Sequence, residues 1–271
     1  MSFKTILTHV VADQRCDARL RMTAGVAKVL RADVIGYGAQ APWPYSDGVG
    51  RGADFEQIVG ATKANLDTSS AAFHRIMSEE GVGWTWRQAL GYPDIEIPNN
   101  AAPADLVVAY GLDHEADTAT YATPDTMVMA TGLPVLLLPN EEAPFQADRI
   151  LFAWKNTREA RHALSTFIPL MKQASRVLIA AVCKDKERAT VEAQLSDVVY
   201  RLGRHGVQAQ SLVSAAASGS TAQALARIAD QDASETMVLG AYGHSRFREW
   251  ALGGVTRDLI DDGGRYIVFA H

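Results

Sequence analysis

The sequence predicts an α/β chain built as a tandem duplication. Three observations predict it. Short apolar, β-branched runs alternate with stretches of helical spacing, an order that implies right-handed crossovers and parallel sheets with helices on both faces. The same order of runs starts again after Asp148. The halves also end alike, with ADLVVAY and LPVLLL in the first and TMVLG and YIVFA in the second.

In the first half, residues 4–11 (KTILTHVV) are apolar and β-branched and predict a strand. A helix follows over Cys16–Leu30, with Leu20, Ala24, Ala27 and Leu30 at helical spacing, and then a second strand over 32–38 (ADVIGYG). Residues 40–54, rich in Gly and Pro, read as a surface loop. The run Phe55–Glu80 is charged on one face and apolar on the other and predicts a helix. Residues 83–93 carry Trp84, Trp86 and Tyr92 and read as a strand edge with aromatic packing. A base-stacking platform fits less well, because Arg87 is the one basic residue among them. In the second half, 149–154 (RILFAW) predicts a strand and 157–172 a helix with Ala160, Leu164, Phe167, Ile168 and Met171 on its apolar face. Arg176–Cys183 predicts the next strand. Asn156, with Glu159 three residues on, is the expected N-cap. The acidic, Pro-containing stretch 140–147 reads as the join, which gives domains 1–144 and 145–271.

Composition narrows the function. The chain has 271 residues, with 26 Lys and Arg against 31 Asp and Glu, a formal charge of −5. A duplex nucleic-acid binder usually shows a basic footprint, so nucleic acid is not the expected partner. The 48% apolar and 21% charged residues make a globular balance rather than that of a wholly disordered chain. No apolar stretch approaches the roughly 18–20 residues that span a bilayer, and the N-terminus lacks a signal-peptide pattern. Cys16 and Cys183 stand far apart and form no Cys-x-x-Cys pair, which argues against a disulfide scaffold or a thiolate zinc site. The expectation is a soluble cytoplasmic protein without a membrane partner.

The sharpest motif runs from Gly240 to Thr256: Gly-x2-Gly, nine further residues, then Gly253-Gly254-Val255-Thr256. It lies between a predicted strand and a helical run over 255–261. Glycines at such a junction let the backbone approach an anion closely. The helix that follows aims unpaired N–H groups and the positive end of its dipole at the loop. Together they suit a phosphate cradle, with His244, Arg246 and Arg248 adding positive charge nearby. A tight turn with a helix cap is the structural alternative.

With these residues the chain resembles the universal stress protein family in its tandem two-domain form. The family's nucleotide-binding members carry Gly-x2-Gly-x9-Gly-(Ser/Thr), then Val and another Ser/Thr, and RILFAWKNTREA looks like the family's first strand and loop. The resemblance implies five-stranded parallel sheets in strand order 3-2-1-4-5, packed as a pseudo-dimer, with a homodimer left open. It also implies ATP at the carboxyl ends of the strands, with Mg²⁺ left open, and a role in the stress response read by a protein partner. Carried over, Gly240, Gly243, Gly253, Gly254 and Thr256 hold phosphates and ribose, flanked by Leu239, His244 and Val255. Ala153, Trp154 and Lys155 line base and sugar, and Val182 meets adenine. Two positions depart from the pattern: Lys155 stands where the family has an acidic residue, and Gly254 where it has Ser or Thr. Lys155 is either a point-charge phosphate contact or a solvated surface lysine.

The first half lacks the glycines, since none occurs between Gly111 and Gly132. A rough alignment sets Tyr121, Ala122 and Pro124 opposite Gly253, Gly254 and Thr256, and Asp113, Glu115 and Asp117 are expected to repel an anion. That half is therefore expected to support its partner without binding. No general base or metal-binding carboxylate pair is in evidence, so sensing is expected rather than fast turnover. Two alternatives stand beside this reading. One is a scaffold that binds no nucleotide. The other is a serine hydrolase using Ser245 with Asp258 or Asp262 and His271, against which Phe247 occupies the position where the elbow turn needs a small residue. Gly48–Ala53 fits Gly-x-Gly-x-x-Gly/Ala but lacks a preceding strand, and there is no P-loop.

Overall fold

The computed structural model describes residues 3–42, 55–111, 117–215, 220–240 and 254–270. Strands and helices alternate along the chain, which falls into two compact units.

One unit comprises Ser2–Leu133 with Glu142–Pro144. Its strands β1 (Thr5–His9), β2 (Asp33–Gln40), β3 (Trp84–Leu90) and β4 (Leu106–Tyr110) lie in the order β3-β2-β1-β4. The pairings β1–β2, β2–β3 and β1–β4 are all parallel. Ile6, Leu7, Val34, Val107 and Val108 are fully enclosed, as β-branched and leucine-rich runs must be when helices cover both faces. The helices are α1 (Cys16–Leu30), α2 (Phe55–Glu80), α3 (Pro93–Asn99) and α4 (Pro124–Thr131). β3 is the exposed edge, and its aromatic packing is as expected: Trp84 stacks on His74 of α2 at 4.4 Å, and Trp86 leans on Phe73 at 5.4 Å.

The other unit comprises Pro134–Glu141 with Phe145–His271. It contains β5 (Val135–Leu138), β6 (Arg149–Ala153), β7 (Arg176–Cys183), β8 (Ala209–Ala215), β9 (Thr236–Gly240) and β10 (Tyr266–Ala270). The order β10-β9-β6-β7-β8 is the expected 3-2-1-4-5 arrangement, and all of its pairings are parallel. Beside β10, β5 runs antiparallel, with Leu136 opposite Val268. The helices are α5 (Arg158–Thr166), α6 (Ile168–Met171), α7 (Arg188–Arg204), α8 (Thr221–Asp232) and α9 (Gly254–Asp262). No described helix is long and apolar enough to cross a membrane.

Two local expectations are corrected. The single helix over 157–172 is divided at Phe167, because Pro169 lacks the N–H that would continue the ladder and restricts the residue before it. The cap of α5 is Thr157, whose hydroxyl accepts from Ala160 N–H at 3.2 Å, and not Asn156, which accepts instead from Arg161 at 2.7 Å. Thr157 has Ala160 rather than an acidic residue three positions on, and only the backbone shows which residue sits outside the helix.

Candidate functional site

In the second unit the chain leaves β6 toward β7 and β8 on one side, then returns past β6 to β9 and β10 on the other. The reversal lies between β6 and β9, and the crevice outside their carboxyl ends is where open α/β sheets take ligands. There Ala153 is in register with both Ala180 and Leu239, and Gly240 ends the neighbouring strand. Ala153 is half-buried. Leu239 is buried in the core. Val182 sits half-buried near the end of β7, in register with Ser214. Lys155 is exposed in the loop after β6, and its carbonyl accepts from Thr157 N–H at 2.6 Å. Gly254, Val255 and Thr256 form the first turn of α9, with Gly254 exposed, Val255 half-buried and Thr256 buried. Gly243, His244 and Gly253 lie outside the described residues, as do Ser245, Arg246, Arg248 and His271.

The two described glycines of the motif differ in kind. A Cβ on Gly240 would stand 2.4 Å from the Ala160 nitrogen and 2.5 Å from the Glu159 carbonyl carbon. The first turn of α5 thus presses on the end of β9, and only glycine fits between them. A Cβ on Gly254 would meet no atom of the described residues within 4 Å. Gly240 therefore serves helix–strand packing, whereas among the described residues no packing contact accounts for the bare backbone at Gly254.

Sequence reasoning missed Glu159. It lies in the first turn of α5, only 2% exposed, 3.5 Å from Arg158 Nε, and its backbone is the one that meets Gly240. Its position beside a helix N-terminus suits a carboxylate. Its spacing from Asn156 points to a cap, whereas the helical interval to Ala163 is the signal for its burial. Trp154 also departs from expectation. Its main-chain N–H donates to Ala180 at 2.7 Å, but its buried side chain lines a groove between α5 and α7.

The first unit shows what replaces the glycines. Fourteen positions separate Tyr110, the end of β4, from Pro124, the start of α4, and the same interval separates Gly240 from Gly254. Tyr110 stands where the second unit has Gly240. Its buried ring lies under the Arg19 guanidinium, 4.1 Å from the ring centre, and burial pushes its phenol well above the usual range. Arg19 donates to Asp13 at 2.7 Å and to the Val11 carbonyl at 3.1 Å, and Tyr121 donates to the other Asp13 oxygen at 3.1 Å. At the start of α4, the Asp94 carboxylate of α3 accepts from Thr123 N–H at 2.8 Å. Desolvation raises its pKa, and the threonine hydrogen bonds oppose that shift. Asp113 and Glu115 lie outside the described residues. Asp117 binds its own turn, accepting from Ala119 N–H at 2.8 Å and the Thr120 hydroxyl at 2.7 Å.

No protein-family model matches the chain, nor does any curated protein. Solved structures do. A universal stress protein from Archaeoglobus fulgidus DSM 4304 is similar over 99% of this chain and 97% of its own, with a TM-score of 0.74 at 13% identity. A putative universal stress protein from Pseudomonas aeruginosa UCBPP-PA14 is similar over 99% and 93%, with a TM-score of 0.61 at 16% identity. A functionally unknown protein from Pseudomonas aeruginosa PAO1 is similar over 99% and 92%, with a TM-score of 0.60. At these identities the shared property is the fold: the chain has the α/β architecture of tandem universal stress proteins, along its whole length.

Proposed function

We propose that this protein is a stress-response sensor that binds an adenine nucleotide, ATP with or without Mg²⁺, in its second unit. The carrying observation is Gly254 in the first described turn of α9, beyond the β6–β9 reversal, where no described atom stands within 4 Å of a side chain's first carbon. A phosphate there meets unpaired N–H groups and the positive helix end. Thr256 adds a hydroxyl to the same turn, while Ala153 and Val182 offer backbone and apolar contacts to ribose and base. In this reading the first unit binds no nucleotide, because Tyr110, Arg19 and Asp94 fill the equivalent places. Occupancy is read by a protein partner through a population shift, since a ligand moves an equilibrium only by its differential affinity for two states. The stress-related role and a cytoplasmic location rest on the fold likeness.

One observation favours the second reading, a scaffold without nucleotide: Gly240 is accounted for by its contact with the first turn of α5. Gly254→Leu separates the two readings. The space around Gly254 predicts an unchanged melting temperature without ligand. Millimolar ATP should raise the melting temperature of the natural protein, by about 2.7 kcal/mol of stability at a hundred times Kd, and leave the variant unmoved. No shift in the natural protein, with and without Mg²⁺, leaves the scaffold.

A further inference from the structure

We propose that the groove between α5 and α7 binds a small organic monocarboxylate. This inference is independent of the nucleotide reading and uses neither Gly240 nor the first turn of α9. The groove encloses about 200 Å³. Trp154, Leu164 and Val198 form its apolar floor and are 8%, 0% and 6% exposed. Arg161 and Arg201 line it from the two helices.

The donors in this groove lack negative partners. Arg161 donates to the Asn156 side-chain oxygen at 2.7 Å, and Arg201 donates to the Ser165 hydroxyl at 2.7 Å. Both acceptors are neutral, and among the described residues neither guanidinium has a carboxylate within 4.0 Å. The buried indole N–H of Trp154 has no acceptor among them either. Guanidinium groups only donate, so the complementary ligand group is an acceptor, and a carboxylate matches their planar fork. Among the described residues Asp197 is the one carboxylate in the lining, which leaves a formal charge of +1 with the two arginines. That balance suits a monoanion better than a phosphate dianion, and the apolar floor adds burial for an organic body. The indole nitrogen is buried, so the guanidinium pair carries recognition and the indole reports it.

The test is a titration of the full-length ¹⁵N-labelled protein with sodium benzoate, followed by the indole N–H resonance of Trp154, which Trp154→Phe assigns by its disappearance. A saturable shift is expected, with a midpoint at least tenfold higher in the Arg161→Gln/Arg201→Gln variant. The other indole resonances of that variant should be unchanged, which checks its folding. Sodium phosphate and an acetylated tripeptide with a free carboxyl terminus should each give less than a tenth of the benzoate response at equal concentration. An absent or unsaturable benzoate shift overturns the proposal, as does an unchanged midpoint in the double variant. An equal phosphate response makes the groove a general anion patch, and an equal peptide response makes it a chain-terminus site. Either result also overturns it.

Discussion

Single residues divide the two halves more sharply than any element does. Gly240 and Tyr110 end equivalent strands, yet one admits no side chain and the other buries the ring of a tyrosine under Arg19. Gly240→Ala should therefore cost about 1–3 kcal/mol in urea unfolding, since the backbone atoms it meets cannot rotate away. Gly254→Leu, with no described atom within 4 Å of the added Cβ, should stay within about 0.5 kcal/mol. His9 makes a second prediction at this scale. It is buried at the end of β1, its Nε2 faces the Ala39 carbonyl at 3.0 Å, and burial lowers its pKa to about 4. Arg19 lowers it further, while the Ala39 hydrogen bond opposes the shift. Because the folded pKa lies below the unfolded value near 6.5, the unfolded chain binds the extra proton. Stability is then whole above that pH and falls as the pH drops toward 4, by about 3 kcal/mol. Urea unfolding at pH 7.5 and pH 5.0 should show the loss, and His9→Gln, which keeps a donor without titrating in this range, should flatten it.

Helix beginnings decide what the element ends can hold. The start of α4 is occupied by the chain itself, through the Thr123 hydroxyl accepting from Thr126 N–H at 3.3 Å and Asp94 accepting from Thr123 N–H. Asp94→Ala should cost about 1–2 kcal/mol in urea unfolding by stranding that half-buried N–H, and Asp94→Asn should recover part of the loss. The start of α5 is capped by Thr157, so Thr157→Ala should cost about 1 kcal/mol. These caps explain why the element boundaries were partly legible. Cys16–Leu30, Phe55–Glu80 and Arg176–Cys183 follow from apolar periodicity and are found at those bounds. The break at Phe167 and the cap at Thr157 depend on which backbone amides are free, and periodicity does not record that.

For the whole molecule, alternating elements and their recurrence were enough to predict tandem α/β architecture, because parallel strands joined by helices have one favoured hand and bury both sheet faces. The Gly-rich junction at the end of β9 was legible as a motif for the same reason that glycine stands out in any sequence: it alone lets backbones come close. Its meaning was not legible. Gly240 proves to serve the contact with α5, Trp154 turns into a groove between helices, and Glu159 comes to lie beside the glycine that was read as a cradle. The sequence by itself determined the order of strands and helices and the candidate loop, because both are written in local periodicity and in glycine spacing. Tertiary structure decided which side chains share a space, including Tyr110 under Arg19 and β5 beside β10, because those contacts join residues far apart in the chain and depend on packing that no local pattern encodes.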